Sequence, residues 1–316
     1  MVSLRFLESI QIPSTYEFAI SEDFLYLTLQ RPKDDGISIE EIGKALGRRV
    51  IAIKGHHSGM STPFIRYGPC HIIEQDTLYS IEGTHISKST HKNELTDLCE
   101  DIFQVYSDGN KLYVVGDEEY LILNMDHSLA FALNGGPDRF FRDPAYLNNG
   151  LVFPIGFDRP EWEVYKNGKR TAVKSIPGDI CESQLNFFDI LEKGGDPTTG
   201  NYFSCTFSDG ENIYFNTSLE DIFSLDDETL LLRGERDAHY CYHHANNGEN
   251  AVLIGKNKVW LLSDREIKGS GCMRDKDGIV RLANTRTDDI FQIDYDGAHV
   301  CILRVDDTKL DVYTIQ

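Results

Sequence analysis

The chain has 316 residues, 41% hydrophobic and 26% charged, which is enough apolar content for a large core and rules out a disordered polymer. Its 51 Asp and Glu against 31 Lys and Arg give a formal net charge of −20, a surface that repels nucleic-acid backbones and anionic membranes because both need basic side chains to neutralise phosphate. No run of about 18 apolar residues occurs, so no helical membrane span is expected, and Met1–Pro13 has Arg5 and Glu8 in place of the apolar run of a signal peptide.

Short runs rich in Tyr, Phe, Val, Ile and Leu alternate along the chain with turns of Gly, Asn and Asp, the pattern of hairpins. From the N-terminus, Leu4–Ile10 reads as a strand, and Glu17–Ile20, Phe24–Leu29 and Val50–Ile53 as strands of one sheet. Between the last two, Ser38-Ile39-Glu40-Glu41 is a capping box, Ile42, Ala45 and Leu46 make an apolar stripe, and Gly47 is a stop. One short inserted helix is expected there. Phe64–Tyr67, His71–Glu74 and Leu78–Ile81 form a further group, unless the first of them completes the preceding sheet.

The clearest unit runs from Ile102 to Leu133. Its strands are Ile102–Tyr106, Lys111–Val115, Tyr120–Asn124 and Leu129–Leu133, with turns at Ser107-Asp108-Gly109, Asp117-Glu118-Glu119 and Asp126-His127-Ser128. A second copy follows Gly150 through Leu151–Ile155, Glu163–Tyr165 and Thr171–Lys174, where Asn167-Gly168 is a strong hairpin signal because both residues must take positive φ. A third runs from Tyr202 through Asp209-Gly210, Asn212–Phe215, Ile222–Leu225 and Leu230–Leu232. A fourth runs from His239 through Asn247-Gly248, Ala251–Ile254 and Lys258–Leu262. The fifth starts at Cys272, turns at Asp277-Gly278, and continues through Ile279–Ala283, Ile290–Ile293 and Val300–Leu303, with Asp296-Gly297 as its second hairpin turn.

Turn glycines at 109, 150, 210, 248 and 278 step by 41, 60, 38 and 30 residues, which, one long step apart, is the period of a four-stranded unit. One such sheet cannot bury both faces, so neighbours must stack, and closing the stack into a ring shields its ends. The pattern resembles the β-propeller superfamily over nearly the whole chain. That resemblance implies an all-β, six- or seven-bladed propeller of four-stranded antiparallel blades forming one domain over 1–316, with Leu4–Ile10 and Leu310–Ile315 paired in one blade. No family signature accompanies it: neither Trp162 nor Trp260 stands in a Trp-Asp pair, and no Ser-x-Asp-x-Gly box occurs.

In a propeller the second-to-third-strand loops share a rim with the connections between blades. Asp34-Asp35, Asp117-Glu118-Glu119, Asp158 with Glu161, Glu220-Asp221 and Asp288-Asp289 all fall at that position, broken by Lys256 and Lys258. An acidic rim steers cationic partners and pairs with their Lys and Arg, although tight turns also favour Asp for backbone reasons. The long step carries an apolar segment, Leu185–Leu191 with Phe187-Phe188, expected as an edge-covering helix or as an arm that binds the same partner. His239, Cys241 and His243 alternate on one strand; two of them could share a metal, but packing in an inner strand is the expectation, and no metal or cofactor is expected. His56-His57 is read as surface.

No phosphate loop or nucleophile elbow is present. The seven cysteines are scattered without a C-x-x-C and suit reduced thiols in a cytoplasm. The expectation is therefore a non-catalytic, cytoplasmic binder of a basic protein, of the inhibitor or immunity type against a cationic toxin such as a nuclease, or a scaffold. The alternative is a propeller hydrolase acting on a sugar, ester or peptide.

Overall fold

Asx-Gly turns write the hairpins of this protein, and three of them share one geometry. Asp209, Asn247 and Asp296 each close a hairpin, with the backbone N–H bonded to the carbonyl three residues on, at 3.3, 3.1 and 3.2 Å. The side-chain Oδ1 of each accepts from the backbone N–H groups two and three residues later, at 3.0 and 2.8 Å, 3.1 and 2.8 Å, and 2.8 and 2.6 Å. The glycine that follows takes φ of 109°, 91° and 101°, a region closed to most side chains.

The computed structural model describes residues 2–20, 23–29, 37–54, 62–63, 70–74, 77–82, 85–89, 102–107, 111–116, 119–124, 128–134, 145–155, 161–167, 169–175, 192–195, 203–217, 219, 221–234, 243–255, 258–274, 290–304 and 308–316. After β1 (Leu4–Gln11), a first sheet is built from β2 (Thr15–Ile20), β3 (Phe24–Leu29) and β4 (Arg49–Lys54), with α1 (Ile39–Leu46) between the last two. The two-residue β5 (Thr62–Pro63) precedes a three-stranded sheet of β6 (Cys70–Glu74), β7 (Thr77–Glu82) and β8 (His85–Ser89). Then β9 (Ile102–Ser107), β10 (Lys111–Gly116), β11 (Glu119–Asn124) and β12 (Leu129–Asn134) form a meander, with β5 parallel to β9 at its inner edge.

Three four-stranded pieces follow in the same style. The first is β13 (Ala145–Leu147), β14 (Gly150–Ile155), β15 (Glu161–Lys166) and β16 (Lys169–Ser175). The second is β17 (Phe203–Ser208), β18 (Ile213–Thr217), β19 (Ile222–Ser224) and β20 (Thr229–Leu232). The third is β21 (His243–Asn246), β22 (Ala251–Ile254), β23 (Val259–Ser263) and β24 (Glu266–Gly271). The last sheet has the order β25 (Met273–Arg274), β1, β28 (Lys309–Ile315), β27 (His299–Arg304), β26 (Ile290–Tyr295). The described strands thus form seven sheets, and the terminal strands β1 and β28 are neighbours as expected, with Ser3 and Gln316 exchanging backbone bonds of 2.8 and 2.9 Å.

Two features differ from the sequence reading. Strand β4 runs parallel to β3, because the connection through α1 is long enough for a crossover rather than a hairpin. The helix itself is as expected: Ser38 Oγ accepts from Glu41 N, and Gly47 ends it at φ 64°. Strand β24 follows a turn without glycine, Asp264-Arg265, in which both residues take positive φ (50° and 62°). Among the described strands β26 stands at the edge of its sheet, with Asp296-Gly297 turning into β27; the expected strand 279–283 and the turn Asp277-Gly278 lie outside the described residues.

Two compact units divide the chain. One holds Met1–Phe6, Arg142–Asp289 and Thr314–Gln316, the other Leu7–Phe141 and Ile290–Tyr313. In the first, the sheet β17–β20 buries both faces. Ile213, Phe215, Phe223 and Leu225 pack on Ala145, Val152, Trp162 and Val164 of the sheet before it. Phe207, Tyr214 and Ile222 pack on Ala251, Leu253, Trp260 and Leu262 of the sheet after it. Alternation along a strand sends successive residues to opposite faces, so stacking on both sides is the one arrangement that leaves none of these side chains wet. The turns at Asn148, Gly210 and Gly248 meet: Asn148 N donates to Gly210 O at 2.7 Å and its Nδ2 to Gly248 O at 3.0 Å. A Cβ on Gly210 would stand 2.4 Å from Gly248 O, so no other residue fits.

In the second unit Ile10 and Ile12, Phe18 and Ile20, Leu25 and Leu27, Ile42 of α1, Cys301 and Leu303, and Leu310 and Val312 make one core. The edge of β2 is satisfied by side chains. Gln292 Oε1 accepts from Phe18 N and its Nε2 donates to Phe18 O, both at 3.0 Å, while Asp294 Oδ2 accepts from Ile20 N at 2.9 Å. An edge strand points alternate backbone groups outward, and residues 292 and 294 of β26 have the matching period of two. We expect Asp294→Ala to cost about 2–3 kcal/mol, by leaving a buried N–H without an acceptor, and Asp294→Asn less than half of that, as read by urea unfolding.

Burial, with the nearby Asp296 carboxylate second, pushes the Cys301 thiol well above its ordinary 9.0. Burial and then the hydrogen bond to Asp209 push the Tyr214 phenol well above 10.0. Both groups stay neutral in the folded chain at a pH where the unfolded chain has begun to ionise them. The associated stability is therefore whole below about pH 9 and falls as the pH rises beyond it, Cys301 alone contributing up to about 1.4 kcal/mol per pH unit. Chemical denaturation at pH 8 and pH 10 should show the loss, and Cys301→Ser should flatten it.

Candidate functional site

The candidate site is the acidic surface, and its residues divide by what the fold does with them. Glu161 opens β15 beside the second-to-third turn of its sheet and is exposed. Asp221 stands at the equivalent turn between β18 and β19 but is 4% exposed. Its Oδ1 accepts from Gly234 N at 2.8 Å and its carbonyl closes the turn on Thr217 N at 3.0 Å. Its carboxylate is therefore spent on the chain itself, which is the backbone role that tight turns give to Asp.

Glu119 is the first residue of β11. Asp117 and Glu118 precede it in the second-to-third connection; they, Asp34, Asp35, Asp158, Glu220, Asp288, Asp289, Phe187 and Phe188 lie outside the described residues, as do His56, His57, His239 and Cys241. His243 begins β21 and is half-buried. Among the described residues no group of three His, Cys, Asp or Glu side chains could hold a metal.

Sequence reasoning missed the buried acids, which act as fasteners. Asp209, 2% exposed, accepts from Glu211 N and Asn212 N through Oδ1 and from Tyr214 OH at 2.6 Å and Asp264 N at 3.1 Å through Oδ2. Tyr214 OH in turn accepts from Arg265 N at 2.9 Å, and Arg265 reaches Asn212 Oδ1 and Asp227 Oδ1. One carboxylate thus holds its own turn and the glycine-free turn of the next sheet. Asp296 plays a related part in the other unit, where it pairs with Arg48 beside the His299 ring. The available signal was the repeated Asx-Gly-x-x turn, whose first side chain is turned inward at Asp209 and Asp296.

Among the described residues Glu211, Glu228 and Glu249 stand exposed at turns, and other acids are paired within the fold. Asp226 meets Lys174 at 2.6 Å, Asp227 meets Arg265 at 2.7 Å, and Glu266 meets Lys268 at 3.1 Å. A hollow of about 950 Å³ lies between α1 and the starts of β3 and β4, lined by Asp23, Phe24, Ile39, Glu40, Lys44, Arg48 and Arg49 among others. Its three bases outnumber its two acids, so it has no preference for a cation. The surplus charge sits elsewhere and unevenly. Residues 7–141 with 290–313 carry 26 Asp and Glu against 13 Lys and Arg, whereas the other unit carries 25 against 18.

No family model matches the sequence, and no curated protein does either. Solved structures match in fold. Virginiamycin B lyase from Staphylococcus aureus is 11% identical with a TM-score of 0.57, covering 99% of each chain. PorZ, an essential bacterial surface component of the type-IX secretion system of Porphyromonas gingivalis, is 9% identical with a TM-score of 0.55 over 96% of this chain. This chain spans 37% of the length of PorZ. Both are β-propeller proteins, and the chain has the β-propeller fold that its hairpin repeat implied. At such identities the likeness is one of fold, and fold does not carry function.

Proposed function

We propose that the chain is a non-catalytic, single-domain propeller of the cytoplasm that binds a basic protein. The observation that carries this reading is the charge of −20, concentrated two to one in the unit formed by 7–141 and 290–313. Folding does not require such a surplus; the buried acids already have their partners, and excess like charge destabilises a compact state. An acidic field instead raises the encounter rate with a cationic surface and sets its orientation. The partner class that fits best is a cationic toxin such as a nuclease, inhibited when the acidic surface covers its positive active site; a scaffold for a basic subunit uses the same chemistry.

The test is capture on the immobilised chain at about 50 mM salt, repeated at about 500 mM, where screening shortens the reach of charge to a few ångströms. A basic protein identified by mass spectrometry, bound at low salt and released at high salt, supports the reading. Capture of neutral or acidic proteins, or of none, overturns it.

A further inference from the structure

A glycine inside a strand weakens it and marks a place where another backbone comes close. Strand β24 has two of them, Gly269 and Gly271, two residues apart and so on one face. Neither takes the positive φ that accounts for Gly210, Gly248 and Gly297. What comes close is the start of the chain: a Cβ on Gly269 would run into the Val2 side chain, and one on Gly271 into the Val2 carbonyl. Residues 2–5 are held along both edges. Val2 N donates to Ser270 O at 3.2 Å and Leu4 N to Cys272 O at 3.1 Å, after which Leu4 and Arg5 run parallel to Met273 and Arg274. On the other edge Ser3 N donates to Gln316 O at 2.8 Å and Ser3 O accepts from Gln316 N at 2.9 Å. The Leu4 side chain is fully buried, Val2 and Ser3 are half-buried, and Arg5 is exposed. All of these residues belong to the unit of Met1–Phe6, Arg142–Asp289 and Thr314–Gln316.

We infer that residues 2–5 are a strap, a peptide docked in a seat that Gly269 and Gly271 cut into the edge of β24, and that the seat takes a peptide of this form whether or not it is joined to the rest of β1. Pairing of the terminal strands does not require such a seat, because that ladder runs between β1 and β28. The strap adds parallel bonds to Ser270 and Cys272, in and just after the edge strand of a different sheet. Carbonyls on such an edge otherwise stand open to a foreign chain, so the strap is also the cover of that edge. Its recognition is that of an added strand: backbone bonds hold it, and one buried side chain, Leu4, anchors it.

Amide exchange reads the strap directly. Gly271→Ala fills the seat, so the full chain should exchange about ten-fold faster across residues 2–5 and unfold at a lower urea midpoint. Ser270→Ala changes an exposed side chain between the two glycines and should stay within about two-fold. A chain lacking residues 1–3 separates the seat from the strand. There Gly271→Ala should leave the midpoint unchanged. A synthetic peptide of residues 1–6 should slow exchange of the Gln316 amide in the shortened chain by about ten-fold, since Ser3 O is its acceptor, and leave the full chain, whose seat is filled, unaffected. Equal exchange in Gly271→Ala and Ser270→Ala would overturn the seat. So would an equal loss of midpoint from Gly271→Ala with and without residues 1–3, which would make the glycine a matter of β24 alone. A peptide that protects nothing in the shortened chain overturns it as well. If the shortened chain does not fold, exchange in the two full-length variants still decides.

Discussion

Asp209→Ala is expected to lower the stability of the chain by about 3–5 kcal/mol, more than any other single change to a polar side chain described above. The carboxylate is buried and serves donors on both sides of a sheet boundary: Glu211 N and Asn212 N in its own turn, Tyr214 OH at 2.6 Å, and Asp264 N at 3.1 Å. Removing it strands several buried donors at once, each costing about 1–3 kcal/mol, and frees a turn whose two residues hold positive φ without glycine. Asp209→Asn keeps one acceptor and should cost roughly half as much. Urea unfolding monitored by fluorescence reads both. A loss under about 1 kcal/mol in Asp209→Ala would mean that the two turns hold together without the carboxylate.

Trp162→Ala is the second large effect, about 3–5 kcal/mol. The indole is fully buried between two sheets, 5.0 Å from the Phe215 ring, and its Nε1 donates to Thr206 Oγ1 at 2.8 Å. Phe215 itself stacks on Phe223 at 4.6 Å, so the cavity opens inside an aromatic layer that is held on both sides and cannot collapse. Trp162→Phe retains most of the packing and loses the hydrogen bond, for about 1–2 kcal/mol. A cycle with Thr206→Val isolates that bond, and a coupling of about 1 kcal/mol is expected. Additive effects in the cycle would show that the contact contributes by packing alone.

The hairpin repeat was legible in the sequence because its signals are local. Asp209-Gly210 and Asn247-Gly248 need positive φ at a fixed offset, and Ser38 with Gly47 brackets a helix by capping chemistry alone. Strand β24 was not legible, since Asp264-Arg265 adopts its turn under tertiary hydrogen bonds that its backbone N–H groups donate to Asp209 and Tyr214, which no local pattern announces. The pairing of β1 with β28 was legible as well, from the two apolar runs Leu4–Ile10 and Leu310–Ile315 at opposite ends of the chain. As for the acids, sequence gives their positions along the chain but not which way each carboxylate faces. Glu161 faces solvent and Asp221 faces Gly234, though both stand at second-to-third turns.

The most direct test of the acidic binding surface compares two triple variants that remove the same charge from different turns. Asp117→Asn, Glu118→Gln and Glu119→Gln neutralise a second-to-third turn of the more acidic unit. Glu211→Gln, Glu228→Gln and Glu249→Gln neutralise exposed acids at first-to-second and third-to-fourth turns. Affinity for the basic partner recovered at low salt should fall about ten-fold or more in the first and stay within about two-fold in the second. Equal losses would reduce the surface to a diffuse field, and a larger loss in the second would place the partner at the opposite turns.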